Sequence, residues 1–584
     1  YTHLIANRVR RLEVYSEIVP SDTTADMLKD FRGIIISGGP FSVIDPGSPS
    51  IDPSILDLEI PVLGLCYGHQ LIAKIEGGTI TRGMYREYGV AQMTIVKENA
   101  LFAGLETRQE IWMSHGDSVE HLPAGFEILA STADCRSTAV GNEERRIFGL
   151  QFHPEVTHTP NGMKMLSNFL EICGCRRTWN PRQLAGELCE DIRTQCAGKK
   201  VFLLVSGGVD STVAFALLNT ALGADRVLGL HVDNGLMRKD ESVQIMKYLH
   251  AHGFDNLKIV DASEEFLAAL GRVADPEKKR EIIGATFIAT KEKAEQDLGL
   301  NVDELMLGQG TIYPDTIESA GTTHADKIKT HHNRVDIVLE LIERGAVIEP
   351  LAQLYKDEVR MLGETLELPR TIVWRHPFPG PGLGVRVLCS DTGTETIDTD
   401  VQAGAESIVR NFGYGVKVLP VRSVGVQGDS RSYAHPALLD GPGDWDTLEK
   451  LSTMLTNRIP AINRVIYNLS GYNSTCSLIE AYLTKERLDL LREIDHLVTE
   501  TLMRLEEYDR VWQMPVVLLP LVDESGGQCV VLRPVLSQEA MTARFARLSD
   551  AAIAAVVDGA AKVDGIGRLF YDVTNKPPGT IEWE

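Results

Sequence analysis

The chain has 584 residues, 43% hydrophobic and 24% charged, proportions of a folded globular protein of about two to four domains. Its formal net charge of −23 disfavours nucleic acid or an anionic membrane as principal partner, and no apolar run approaches the roughly 20 residues that span a bilayer. The nine cysteines are scattered and odd in number, so a reducing, cytoplasmic setting is expected rather than a disulfide framework, and Cys173 and Cys175 lack the second pair that a zinc site needs. The start at Tyr1-Thr2-His3 carries no signal peptide and reads as the middle of a helix cap, so residues upstream are expected to be missing.

Residues 1–175 alternate short apolar runs with helical patterns, and Ile34–Ile36 and Val62–Leu65 are predicted as buried strands. Leu65-Cys66-Tyr67-Gly68-His69-Gln70 lies between the second strand and a helical run. That context suits a nucleophile elbow, in which a helix N-terminus favours a thiolate. In Gln151-Phe152-His153-Pro154-Glu155, residues two apart face one side of an extended segment. His153 is therefore a candidate base for Cys66, oriented by Glu155. Ser37-Gly38-Gly39-Pro40 and the N–H of Tyr67 are candidate oxyanion donors. Taken together, GGP, GLCYGHQ and QFHPEV resemble the class I glutamine amidotransferase domain, which hydrolyses glutamine through a thioester and releases ammonia. The resemblance implies Cys66 as nucleophile, His153 as base and Glu155 as its orienter, with Gly39, Tyr67 and Gln70 at the glutamine and oxyanion sites.

Arg176–Pro181 reads as a linker. Beyond it, Val201–Val205, Val227–Val232, Leu257–Val260 and Leu305–Leu307 are predicted as strands separated by helices, which implies βαβ units and a parallel sheet. The first strand runs into Ser206-Gly207-Gly208-Val209-Asp210-Ser211 and then a helix. Glycines that let backbone N–H groups approach an anion, a helix N-terminus, two hydroxyls and a Mg²⁺-binding Asp210 make a phosphate site. It lacks the lysine of the GxxxxGK[ST] loop and suits an enzyme that keeps AMP and expels pyrophosphate. The charged segment Gly271–Gly284 is a candidate ATP lid, and His376-Pro377-Phe378-Pro379-Gly380-Pro381-Gly382 interrupts regular structure.

The last third holds a weak repeat: Val418-Leu419-Pro420 precedes Ile462–Tyr467 by about as much as Leu518-Leu519-Pro520 precedes Ile566–Tyr571. Each copy is expected to be a small α+β unit.

SGGVDS, HVDNGLMR (231–238), GQGTIYPD (308–315), KTHHN (329–333), HPFPGPGLG and the ending NKPPGTIEWE together resemble the glutamine-hydrolysing GMP synthetases over nearly the whole chain. The resemblance implies an α/β amidotransferase domain (1–175), a parallel-sheet ATP pyrophosphatase domain of the PP-loop type (176–378) and an α+β C-terminal region for XMP binding and dimerisation (379–584). It implies XMP, ATP and glutamine as substrates, Mg²⁺ as cofactor, and Arg238, Asp429, Gln513, Lys576 and Glu582 as XMP contacts. Lys329, near His331 and His332, is expected at the ATP phosphates. The family's usual first strand is absent before Tyr1, and two C-terminal units stand where its compact form has one, so a monomer or weak homodimer is expected. Another glutamine-dependent adenylating amidase and a non-catalytic scaffold are the alternatives.

Overall fold

The structure is a computed structural model that describes residues 2–251, 253–298, 304–320, 341, 344–427, 430–471, 475–537 and 543–584. Two compact units emerge, Tyr1–Leu184 with Tyr313–Thr323, and Ala185–Ile312 with His324–Glu584.

The first unit is built on seven strands: β1 (Ile34–Ile36), β2 (Val62–Leu65), β3 (Thr79–Ile95), β4 (Arg108–His121), β5 (Glu127–Ser131), β6 (Ala139–Asn142) and β7 (Ile147–Leu150), in the order β1-β2-β7-β6-β5-β3-β4. The β1–β2 and β2–β7 pairs are parallel, while β6 joins β7 antiparallel. Both predicted strands appear at their expected bounds, and every residue of β2 is buried. The helix Tyr67–Ile75 lies directly on these strands because a Cβ on Gly68 would stand 2.2 Å from the Ile36 carbonyl oxygen. The expected linker is packed: Trp179 donates its backbone N–H to Glu13 (2.8 Å), and Arg177 donates to the Leu12 carbonyl (2.7 Å).

In the second unit, β8 (Lys200–Leu204), β9 (Val227–Asp233), β10 (Leu257–Asp261), β11 (Leu305–Gly308) and β12 (Val347–Ile348) form a wholly parallel sheet, order β10-β9-β8-β11-β12. The chain leaves β8 toward β9 on one side, while β11 lies on the other. The loops after β8 and β11 therefore diverge at the carboxyl ends of adjacent strands, where open α/β sheets form their ligand crevice. The helix Val209–Leu222 is buried on nearly all its faces.

The charged segment 271–284 is not a free loop. Pro276–Leu298 is a helix, and fully buried Lys279 donates to the Gly384 (3.2 Å) and Val387 (3.0 Å) carbonyls and pairs with Glu584. Lys279 thus anchors the C-terminal segment, and from Pro276 the segment is helix rather than the expected loop.

The remaining strands are β13 (Gly415–Val418), β14 (Ser423–Gln427), β15 (Ser430–Asp440), β16 (Ile462–Asn468), β17 (Ser477–Leu478), β18 (Val516–Val522), β19 (Gln528–Leu532), a β20–β21 ribbon (Val535–Leu536, Arg544–Phe545) and β22 (Ile566–Asp572). Their main sheet runs β13-β15-β16-β22-β19-β18-β17. Helix Thr399–Val409, β13, β15, helix Trp445–Arg458 and β16 follow one another as do helix Lys485–Arg504, β18, β19, helix Asp550–Ala560 and β22. The pairings match as well: β15–β16 and β19–β22 are parallel, with Leu439 opposite Tyr467 as Leu532 is opposite Tyr571. β16 and β22 then meet antiparallel, Tyr467 opposite Tyr571.

Candidate active site

Cys66 ends β2 and caps the next helix with φ 50° and ψ −102°, the left-handed side of the map where a non-glycine residue is strained. The turn is fixed by its backbone N–H, which donates to Leu150 of β7 (2.7 Å). β7 leads into Gln151-Phe152-His153, so the two motifs share neighbouring strand ends. His153 Nδ1 lies 2.7 Å from Glu155 Oε1. Burial opposes charge on the imidazole, but hydrogen bonds and negative charge from Cys66 and Glu155 outweigh it and raise His153 to about 10. His69, one turn into the helix, is pushed down to about 3 by burial and by nearby His115, so it stays neutral.

Two partners were not legible as such in the sequence. Gln151 Nε2 lies 3.8 Å from Cys66 Sγ, on the same alternation that aligns His153 and Glu155. Arg8 Nε donates to the Glu155 carbonyl (3.0 Å) from more than a hundred residues away. Gln70 turns its amide nitrogen to the Asp117 carbonyl (2.8 Å) and Gln151 Oε1 (3.0 Å). Gly38 approaches the pair most closely: a Cβ there would lie 3.2 Å from His153 Cε1 and 3.4 Å from Cys66 Cβ, whereas one on Gly39 would reach only Tyr67 Cγ, at 3.9 Å.

In the second unit, the loop Ser206–Gly208 enters its helix with Gly207 at φ 79°. Ser206 and Ser211 hydroxyls are 3.0 Å apart, and Ser206 Oγ accepts the Gly208 N–H (3.2 Å). Asp210 Oδ2 pairs with Lys356 Nζ (3.1 Å), while its buried Oδ1 has no hydrogen-bond partner among the described residues. A lysine thus reaches the loop from a helix start about 150 residues later. Gly310, after β11, closes on this loop: its Cβ would sit 3.1 Å from the Ser211 nitrogen.

Arg238, Gln513 and Glu582 come together from three distant segments. Gln513 Nε2 donates to Glu582 Oε1 (3.0 Å) and to the Pro377 carbonyl (3.0 Å). Arg238 lies over the Phe378 ring at 4.6 Å and 3.6 Å from Asp495 Oδ2. The pKa of Lys576 is lowered by burial and by the charge of Arg533. Arg533 and Arg464 are fully buried and share Asp572 (3.0 Å each), to which Trp583 also donates (3.0 Å), so this cluster holds the segment carrying Lys576 and Glu582. Asp429, Lys329, His331 and His332 lie outside the described residues.

The chain matches family models for glutamine amidotransferase class-I over residues 1–173, NAD synthase over 183–316 and the GMP synthase C terminal domain over 500–583. It is 46% identical to a probable glutamine-hydrolysing GMP synthase of Leptospira interrogans, covering 100% of this chain and 98% of the relative. A probable glutamine-hydrolysing GMP synthase of Caenorhabditis elegans is 37% identical over 100% of this chain and 91% of that protein. The GMP synthase of Clostridium tetani is 43% identical but covers 81% of this chain with 96% of its own length, so it is the shorter form. The chain belongs to the glutamine-hydrolysing GMP synthase family.

Proposed function

We propose that Cys66, His153 and Glu155 release the ammonia with which this enzyme family converts XMP to GMP, and that the loop 206–211 activates XMP with ATP. Cys66 Sγ attacks the side-chain carbonyl carbon of glutamine. The protonated His153 gives its proton to the departing ammonia, and water then cleaves the thioester to glutamate. Gly38 and Gly39, with the N–H of Tyr67, face the developing oxyanion, and Gln70 braces the glutamine pocket through Gln151. A high imidazole pKa keeps the proton donor charged at neutral pH, and Glu155 orients it.

In the second unit, the purine oxygen of XMP that is lost in GMP attacks the α-phosphorus of ATP, and pyrophosphate leaves. Ammonia then displaces AMP. The N–H groups and hydroxyls of Ser206, Gly207, Gly208, Val209 and Ser211 receive the phosphates. The unpartnered, buried Asp210 Oδ1 fits a Mg²⁺ ligand. No group of three or more acidic, His or Cys ligands occurs among the described residues, so phosphate oxygens would complete the shell. Bound Mg²⁺ would neutralise charge on the leaving pyrophosphate. Arg238, Gln513, Lys576, Glu582 and, by its motif, Asp429 bind XMP. The domain limits 1–175, 176–378 and 379–584 follow this division of labour.

The observation that carries this reading is the meeting of Cys66, His153 and Glu155 at two neighbouring strand ends. Pyrophosphate release from ATP tests the acceptor: XMP should stimulate it, and stimulation by a different carboxylate or carbonyl acceptor instead would point to another adenylating amidase. No pyrophosphate release with any acceptor would leave a scaffold.

The matching halves about β16 and β22 support an internal repeat that covers, within one chain, a face that would otherwise pair two subunits. A linked partner is present at about millimolar effective concentration. A monomer or weak homodimer is expected, with sedimentation near 64.3 kDa at micromolar protein. A species of twice that mass, unchanged on dilution, would rule the monomer out. All nine cysteines are free thiols, which with the need for a reduced Cys66 supports a cytoplasmic location. No described helix is long and apolar enough to cross a membrane.

A further inference from the structure

We propose that Arg386 is a positioning residue for XMP: it fixes the Glu582 carboxylate, and through it the Gln513 amide, in the geometry that receives the nucleotide. The proposal rests on the reading that Glu582 and Gln513 face XMP.

Arg386 follows the short helical turn Gly382–Val385 that ends the proline-rich segment, and it is fully buried. Its Nε and Nη2 donate to the two oxygens of Glu582 at 3.0 and 2.8 Å, a two-point grip that sets both the position and the plane of the carboxylate. The backbone around Glu582 is held independently, on one side by Arg464 donating to the Thr580 carbonyl (2.9 Å) and on the other by buried Trp583 and the pairing of Glu584 with Lys279. What remains free to choose is the carboxylate rotamer, and Arg386 chooses it. Glu582 Oε1 in turn accepts from Gln513, whose amide also reaches Pro377 of the proline-rich segment. One guanidinium thus coordinates three segments far apart in the chain.

Arg386 Nη1 has no hydrogen-bond partner among the described residues and lies 4.0 Å from Asp495 Oδ1. Arg238 Nε is in the same condition, 3.6 Å from the other oxygen of Asp495. Both guanidinium groups flank Phe378, at 5.2 and 4.6 Å from its ring centre. Two cations with unfilled donors therefore converge beside the Glu582–Gln513 pair, which is the environment a polar nucleotide completes.

The test uses the full-length enzyme with ammonia as nitrogen donor, so that the glutaminase does not enter. KM for XMP, KM for ATP and kcat are measured for Arg386→Gln, Arg386→Lys, Glu582→Gln and the double variant Arg386→Gln/Glu582→Gln. Arg386→Gln and Glu582→Gln should each raise KM for XMP about ten- to a hundredfold, with KM for ATP unchanged. The double variant should be no worse than the worse single one, because the two residues act as one unit. Arg386→Lys, which keeps the charge but not the two-point grip, should recover part of the loss. An equal rise in both KM values, a fall in kcat alone, or multiplicative losses in the double variant would overturn the proposal. If Arg386→Gln does not fold, an unchanged KM for XMP in Arg386→Lys overturns it. Glu582→Gln with wild-type KM for XMP would instead sink the underlying assignment of Glu582.

Discussion

The thiol cluster of the first unit and the proposed nucleotide site of the second are built in opposite ways. The first is local: Cys66 ends β2, His153 follows β7, and these strands are hydrogen-bonded neighbours, so two short motifs carry nearly all of it. The second, as proposed, is dispersed: Arg238, Phe378, Arg386, Asp495, Gln513 and Glu582 come from separate elements, and the C-terminal segment is held by Asp572 and Lys279. A local site can be switched off without disturbing the rest of the molecule. A dispersed one is expected to lose affinity by degrees as each anchor is removed.

Cys66→Ala should break the comparison most sharply. Glutamine-dependent GMP formation should vanish, while synthesis from added ammonia continues at close to the normal rate. Equal loss of both would show that the thiol site is not separable. Asp210→Ala should do the reverse and abolish both activities, leaving only basal glutamine hydrolysis. Near-normal pyrophosphate release in that variant would remove Asp210 from the phosphate site.

Glu155→Gln should have an intermediate effect. It removes one of the two anionic partners that raise His153 to about 10, so the imidazole pKa falls toward its ordinary value. The proton donor is then lost at lower pH. The alkaline limb of glutamine hydrolysis should move down from about pH 10, with a fall in rate on the order of 10²-fold or more. An unmoved limb would mean that Cys66 alone sets the imidazole. The same shift has a stability sign. A raised folded-state pKa contributes stability that is present in full below the ordinary histidine range and is lost as pH climbs toward 10.

Lys576→Ala should act on the dispersed site by degrees, raising KM for XMP about ten- to a hundredfold and leaving KM for ATP nearly unchanged. Burial and Arg533 already lower its pKa, so this charge is held against an electrostatic cost that an anionic ligand would offset. Weaker ATP binding with intact XMP binding would reassign the lysine.

The same contrast governs how far the sequence could be read. Apolar runs placed β1, β2 and four of the five strands of the parallel sheet within a residue or two, because buried strands declare themselves by hydrophobicity, whereas the two-residue β12 is too short to do so. Cys66, His153 and Glu155 were legible because local spacing decides which way they face. Lys356, Arg386 and Asp495 were not, since nothing in their flanking residues announces a partner 80 or more positions away. The charged segment 271–284 misled for a related reason: charge usually marks a solvated surface, but Lys279 is buried because Glu584 meets it.

The smallest effect sharpens the local site to a single glycine. Sequence context named Gly39 as the oxyanion glycine, but the crowding lies at Gly38. A methyl group there would stand 3.2 Å from His153 Cε1 and 3.4 Å from Cys66 Cβ, distances at which one of the two must shift by a few tenths of an ångström. Both are tied, Cys66 through its backbone to Leu150 and His153 to Glu155 and Trp112, so neither gives way freely. Misplacement of a nucleophile and its proton donor by that much should cost about tenfold in glutamine hydrolysis. The methyl group of Gly39→Ala meets only Tyr67 Cγ at 3.9 Å, an ordinary contact, and should change the rate less than about threefold unless its backbone N–H is disturbed. Ammonia-dependent synthesis should be untouched in both. If Gly39→Ala proves the more damaging, the glycine contributes through its backbone N–H rather than through space, and the oxyanion contact belongs to Gly39 after all.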